Sequence, residues 1–542
     1  MSYFTIKRSF FLVPSTTMLK EFEKIDKFLE ILEKSGVGKI IASVKLVDKN
    51  CKGRKGYNPY NLFATIIYSF AKFKASLRDI EDKCIFDIRV QYIMEGKIPD
   101  HSTIGNFINL YILPYQYEIF TIINKQIIKE LNLTISTVYL DGTKLEANAN
   151  KYKFVWKPKK YHENLDIKIR NLIKDIGYVV NDKENKLITS NDFYIILKDY
   201  AKKENIKFSS LSKERGHRYT EQEKKYKEGY KYLLKLLEYE EKERICGKNR
   251  NSYYKTDYDA TAMVLKEDYY SRSSHDFHAA YNVQVLVASG LIMIYGIFQD
   301  RADYYTLIPM NNLFFKYYGY YPINESADSG YGIYDNYSYL KKHNIENYVK
   351  FQSWSGESSG KRPQLFKIDK NNNVLCLNLN KGEIYKSSTH PKLKDSKFYI
   401  WYGCNECNYS YKCKALMKEE NKKKDYRIKE ISIDYEKFKE QARQNLLSPK
   451  GIEIRINRSI QVEGTFGQIK QNMNYNRFRR RGFQEVSCEF MLECLGANIR
   501  RLLYSFDENK FKKSYWKKPL TLQSESFKSV KQKKRNCQKL II

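Results

Sequence analysis

Val138-Tyr139-Leu140-Asp141-Gly142-Thr143-Lys144-Leu145-Glu146-Ala147-Asn148-Ala149-Asn150 is the stretch whose reading decides the fold. Val138 and Leu140 alternate with Tyr139 in a β-branched and aromatic run, which favours a pleated, half-buried strand. The pattern places Asp141 at the end of that strand and gives Gly142 to a turn beside it. A carboxylate held there suits a metal ligand. Asp-Gly is also a common turn dipeptide in which the Asp is merely solvated, so the choice depends on acidic motifs further along.

Two such motifs follow. Ile323-Asn324-Glu325-Ser326-Ala327-Asp328-Ser329-Gly330-Tyr331-Gly332 again runs an extended segment into an Asp followed by small residues. Arg458-Ser459-Ile460-Gln461-Val462-Glu463-Gly464-Thr465-Phe466-Gly467-Gln468-Ile469-Lys470 supplies a third carboxylate, Glu463. On a helix Glu463 and Lys470 are seven residues apart, two turns along one face, so an acid and a base look into one cleft. Gly464 and Gly467 cost such a helix about 1 kcal/mol each relative to Ala. Close passage of the backbone to DNA or to a sheet would account for them.

Between the motifs the periodicity predicts a hairpin, Ala280 to Ala288 and Leu291 to Phe298 around Ser289-Gly290. A helix over Thr306 to Tyr318 follows, then the Asp328 strand, a helix over Asp335 to His343 and a strand over Glu346 to Phe351. The fold class expected is α/β: an RNase H-like mixed sheet flanked by helices, with its first and fourth strands side by side.

These residues carry a resemblance. Asp141-Gly142-Thr143-Lys144 with Asn148-Ala149-Asn150, Lys255-Thr256-Asp257-Tyr258-Asp259-Ala260-Thr261, Tyr281-Asn282-Val283-Gln284, Ala327-Asp328-Ser329-Gly330-Tyr331-Gly332 and Glu463-Gly464-Thr465-Phe466-Gly467, in that order, resemble the DDE transposases of bacterial insertion sequences. The resemblance covers most of the chain, and Gly53 through Thr103 resembles the helical domain preceding the catalytic core in that group. It implies a catalytic, metal-binding triad of Asp141, Asp328 and Glu463, with Mg²⁺ or Mn²⁺ as cofactor, and matches Lys470 to the Lys of the family's Glu-x6-Lys element. Related chains carry an Arg four residues before the Glu. Here that position is Ser459, and the nearest Arg is Arg458, five residues before.

Organisation follows from the same reading. Residues 1–135 are expected to form an all-helical N-terminal domain, for DNA binding or dimerisation. Within it Asn58 caps a helix with Pro59 in its first turn, Ser76 and Asp79 form a capping box leading through Ile88, and His101-Ser102-Thr103 opens a third helix. A discontinuous catalytic core takes 136–150, 256–351 and 451–505. It is interrupted by a charged helical insertion at 151–255, where Tyr226, Tyr230, Leu233, Leu234 and Leu237 share helical spacing before Gly247, and by a second insertion at 352–450. A basic tail runs over 506–542.

The second insertion holds Cys376, Cys404, Cys407 and Cys413, and Cys404-x2-Cys407 can wrap two thiolates round a zinc ion that the other two complete, with His390 a substitute ligand and unliganded thiols the alternative. Cys51, Cys84, Cys246, Cys488, Cys494 and Cys537 show no such clustering.

Charge points to the partner. Lys and Arg number 96 against 63 Asp and Glu, a formal net charge of +33, and 47 Tyr with 29 Phe add stacking surface. That balance fits double-stranded DNA, where phosphate neutralisation supplies much of the affinity. Arg477, Arg479, Arg480 and Arg481, interleaved with Phe478, are candidates for phosphate contact and stacking, with Arg458 and Lys470 beside them. No apolar run reaches the roughly 18 residues of a membrane helix, and Met1 to Phe11 lacks a secretory h-region. The expectation is a cytoplasmic, nucleoid-associated bacterial protein that binds terminal inverted repeats and target DNA, acting as a homodimer. The competing expectations are an RNase H-like DNA nuclease without strand transfer, and a non-catalytic DNA-binding descendant.

Overall fold

A computed structural model describes residues 16–43, 56–74, 76–179, 186–208, 218–248, 250–265, 276–389, 395–415, 417 and 419–506. His390, Cys51, Cys537, most of Gly53 to Gly56 and nearly all of the basic tail lie outside them.

The strand read first is the centre of the molecule. β1 (Thr137–Glu146) is followed by β2 (Phe154–Trp156) and β3 (Ser252–Tyr254), which pair with each other as a neck for the first insertion. Then come β4 (Thr261–Met263), β5 (His278–Ala288), β6 (Leu291–Phe298), β7 (Asn324–Ser326) and β8 (Glu346–Asn347). The main sheet runs β4-β5-β1-β7-β8, with β6 also on β5. β1 is antiparallel to β5 and parallel to β7, and β7 is parallel to β8. Read as β6-β5-β1-β7-β8, this is the mixed sheet of an RNase H-like core. The β5–β6 hairpin turns on Ser289 and Gly290, both at positive φ (48° and 74°), the turn geometry that matches the twist of paired strands.

Two strand expectations shift. β1 does not end at Asp141: it continues through Gly142 to Glu146 because β5 pairs with it along its whole second half. No turn needs Gly142. A Cβ there would sit 1.9 Å from the Gln284 amide, so a side chain at this position would have to displace that amide from across the strand. β8 is two residues rather than six, although Tyr348 and Lys350 still donate to the Glu325 and Ala327 carbonyls.

The helix Phe483–Ser505 is buried on nearly every side and lies between β6 and the helix Pro59–Lys72. Such all-round burial, which takes in Glu489, Glu493 and Asn498, belongs to an interior helix. At Gly496 it comes so close that a Cβ would meet the Phe70 carbonyl at 2.6 Å. Pro59–Lys72 buries Leu62 through Ala71 and is capped by Asn58, whose side chain accepts from the Tyr60 N–H. Ser76 and Asp79 form the capping box of Leu77–Phe86. That helix stops before Ile88: Asp87 is extended and caps a separate helix, Ile88–Met94.

The described residues of the first insertion form helices Lys159–Asp175, Ser190–Lys203 and Glu221–Cys246 around their own apolar cluster including Ile169, Phe193 and Leu236. Thr220 and Glu223 box the start of its longest helix and Gly247 ends it. The second insertion has a hairpin, Phe366–Ile368 with Val374–Cys376, and a three-stranded sheet of Glu383–Ser387, Lys397–Tyr402 and Tyr426–Ile431. Helices Ile433–Leu447 and Pro449–Arg458 lead back to the core.

Candidate active site

The pairing of β1 with β7 sets the site. Thr137, Val138 and Tyr139 face Asn324, Glu325 and Ser326 in parallel register, and continuing that register past β7 brings Asp141 level with Asp328. Parallel neighbours put like positions side by side, so two carboxylates 187 positions apart stand together. Arg458 then reaches between them. Its guanidinium lies 3.3 Å from Asp141 Oδ2 and 3.8 Å from Asp328 Oδ2, and Lys350 Nζ donates to Asp328 Oδ1 at 3.3 Å.

The environments push the two acids apart. Burial first, then the charges of Asp328 and Asp303, raise the Asp141 carboxyl to about 6, against the pull of Arg458 and of the Gly142 N–H that donates to it. At Asp328 burial also acts upward, but Arg458 and Lys350 outweigh it and hold that carboxyl below its usual range. A pair that gathers a guanidinium and an ammonium is a cation-seeking oxygen donor set, and hard divalent cations prefer such donors.

Glu463 comes from the helix that follows Arg458. Pro449–Arg458 continues as a π-helical turn, Ser459–Glu463, then an α-turn, Gly464–Gly467, then a second π-turn, Gln468–Asn472. A π-turn closes i to i+5, so it carries one residue more than an α-turn and brings residue i+5 to the face that i+4 would hold. The offset of Arg458, five residues before the Glu, is absorbed by that extra residue. The turn packs on β1 and β5. Glu463 is exposed, and Cβ atoms at Gly464 and Gly467 would meet nothing within 4 Å, so these glycines do not serve a close approach to the sheet. Lys470 donates to the Lys144 carbonyl at 3.4 Å, further along β1. Among the described residues, no three His, Cys, Asp or Glu side chains are gathered at metal-ligand spacing, so Glu463 is not drawn to the same point as the two Asp residues.

A polar network that the sequence did not assign lies beside the pair. Tyr331 Oη donates to Gln284 Oε1 at 2.5 Å, and Gln284 Nε2 donates to Asn282 Oδ1 and Asp303 Oδ1 at 2.9 and 3.0 Å. Asn282 Nδ2 donates to Asp303 Oδ1 at 2.8 Å. The quoted Tyr281-Asn282-Val283-Gln284 motif is therefore a brace for the floor of the site. Asp303 and Lys350 had no motif around them to mark them out.

The arginine cluster is arranged differently from a bare basic face. Arg458 is 6% exposed and committed to the Asp pair. Phe478 is 2% exposed, edge-on to Tyr281 and Tyr475, so it is core and cannot stack a base. Arg477 is exposed, 3.9 Å from Glu146. Arg480 donates to Asn109 Oδ1, Arg481 to the Asn148 carbonyl, and the Arg479 and Arg480 N–H groups to buried Glu489. Asp257 and Asp259 accept from the Gly482 and Phe483 N–H groups and anchor the start of the interior helix next to this loop. The Lys255 to Thr261 motif thus holds the basic loop in place.

The four clustered cysteines converge. Cys376, Cys404, Cys407 and Cys413 line one cavity of about 40 Å³ together with Arg427 and Lys424. No helix among the described residues is long and apolar enough to cross a membrane.

Two family models match parts of the chain. The family described as the transposase DDE domain matches residues 378–503, a span that includes Glu463, Lys470 and the arginine loop, and a second transposase domain family (DUF772) matches residues 17–110. No curated protein and no solved structure matches the chain.

Proposed function

We propose that the chain, which two transposase family models match over residues 378–503 and 17–110, is a DDE transposase of the insertion-sequence type that binds the terminal inverted repeats of its element, cuts the DNA and joins the freed ends to a target within the bacterial nucleoid. The observation that carries the reading is the alignment of Asp141 and Asp328 on neighbouring parallel strands about a shared guanidinium. Asp141, Asp328 and Glu463 would hold Mg²⁺ or Mn²⁺, which supplies charge to activate a water or a DNA 3′-hydroxyl and to stabilise the leaving oxygen of an in-line displacement.

The chain's own side chains do the rest. Arg458 neutralises the two carboxylates while no substrate is bound, preventing their repulsion from splaying the strand ends. The open side of Gly464 and Gly467 leaves room for a DNA backbone beside Glu463. Lys470 and Arg477 stand on the same length of β1 as that opening and would pair with phosphates on either side of the cut. Two chains on one DNA complex would bring the two ends of an element together.

The test is cleavage and joining of a terminal-repeat duplex with Mg²⁺ and with Mn²⁺. Asp141→Asn, Asp328→Asn and Glu463→Gln should each abolish both reactions almost completely while DNA binding survives, because ligands of one site act as a unit. Near-normal cleavage by any one variant removes that residue from the site. Cleavage without joining by the unmodified chain would leave a nuclease instead.

A further inference from the structure

The four-thiol cavity lies in the second insertion, outside the DNA site, and its surroundings have the construction of a closed structural metal centre. Each thiol is delivered by a tight backbone feature. Cys376 ends the strand Val374–Cys376, where its carbonyl accepts from the Leu379 N–H and its own N–H donates to Asn380, with Leu379 at φ 60°. Cys404 follows Gly403 (φ 69°) at the end of Lys397–Tyr402, and its N–H donates to the Asp425 carbonyl. The Asp425 carboxylate accepts from the next N–H, that of Asn405, at 2.7 Å. Cys407 accepts from the Ser410 N–H, and Cys413 sits on the short helix Ser410–Lys414 that this turn begins. Three separate chain segments thus converge on one cavity.

Packing alone does little to hold those segments. Apart from Trp354, Ala442 and Leu446, which join the main core, the buried apolar cluster described in this insertion is Phe366, Val374, Tyr399, Trp401 and Ile431, and Cys376 and Cys404 pack against its edge. The outer strand Glu383–Ser387 is exposed along its whole length. Modules with so small a core ordinarily depend on a disulfide or a metal ion. All eight described cysteines are free thiols, so no disulfide serves here. Charge is also provided for. Arg427 Nη1 donates to both the Cys413 carbonyl and Sγ, and Lys424 lines the same cavity, two cations against the net −2 of a Zn²⁺ bound by four thiolates. The cavity exceeds the roughly 10–15 Å³ a single water occupies. The thiols are not at ligand spacing in this structure, so loading requires all four Sγ atoms to close on the ion to the Zn–S distance of about 2.3 Å.

We propose that Cys376, Cys404, Cys407 and Cys413 bind one structural zinc ion that holds the second insertion together. Tetrahedral all-thiolate sets favour zinc or iron–sulfur clusters over hard cations, and single-ion zinc is the occupant assigned here. Loading displaces four thiol protons, and Arg427 turns from Cys413 alone to the outside of the complex.

Elemental analysis of the purified full chain should find about one zinc per chain. Titrating the unmodified chain with a mercurial should release that zinc as four thiols react. Replacing it with Co²⁺ should give the intense visible bands of tetrahedral cobalt thiolate. Cys404→Ser with Cys407→Ser should lose the metal, while Cys246→Ser, whose buried thiol lies in the first insertion, should keep it. Absence of zinc after growth in zinc-supplemented medium, zinc retained by the double variant, a Cys404–Cys407 disulfide, or a brown iron–sulfur chromophore would each overturn the assignment. Should the double variant fail to fold, the mercurial and cobalt measurements on the unmodified chain decide alone.

Discussion

Glu325, three residues before Asp328, points away from the solvent that its neighbour meets. It is fully buried, its one hydrogen bond comes from Asn311, and burial pushes its carboxyl up to about 8. An unfolded Glu titrates near 4.3. The folded chain therefore holds a proton that the unfolded chain has lost, and stability is full below about 4.3 and falls as pH rises through about 8. Glu325→Gln keeps the shape and a neutral side chain at every pH. Thermal unfolding should show the variant and the unmodified chain converging near pH 4 and separating, in the variant's favour, by roughly 1.4 kcal/mol for each pH unit across that window. Parallel curves would show that Glu325 is ionised in the fold. The same scale shows what residue types alone conceal. Phe478 among arginines reads as a stacking platform, yet it packs edge-on against nearby Tyr475 and against Tyr281, which is so distant in sequence that no local pattern reports it.

At the scale of elements, strand order and both aspartates were legible because alternation and hairpin chemistry are local, and the identical offset in the β1–β7 register follows once the strands are neighbours. The helix bearing Glu463 was legible as a helix, but its irregularity was not, since the five-residue spacing of Arg458 and Glu463 does not by itself say whether a π-turn or a changed residue role accounts for it. That turn makes a prediction. Deleting Ser459 should convert it to an α-turn and leave Arg458 and Glu463 on their present faces, whereas deleting Ile456 from the regular part of Pro449–Arg458 should rotate Arg458 by about 100° away from the aspartates. Thermal stability should fall little in the first variant and by several degrees in the second, where two carboxylates lose their shared partner. Equal losses would mean the π-turn absorbs nothing. The capping residues Asn58, Ser76 and Asp79 illustrate the opposite case, in which the hydrogen bond is made within three residues and the sequence states it directly.

For the whole molecule, the charge of +33 should make DNA affinity fall steeply with salt. Neutralising Arg477, Arg479, Arg480 and Arg481 together should flatten the slope of log affinity against log salt, while Arg477, exposed beside β1 and 3.9 Å from Glu146, should carry a larger share than Arg480 and Arg481, whose guanidinium groups are hydrogen-bonded within the chain; an unchanged slope would place the DNA elsewhere. The interior helix has a consequence of another kind. Phe483–Ser505 covers β6 and grips Pro59–Lys72, yet it follows β1 by roughly 340 residues, a delay on the order of half a minute at ordinary translation speed. Roughly 185 residues of that interval follow β6, during which a growing chain carries the strand's apolar face uncovered, so a message cut short before Phe483 should yield aggregate instead of a weakened protein.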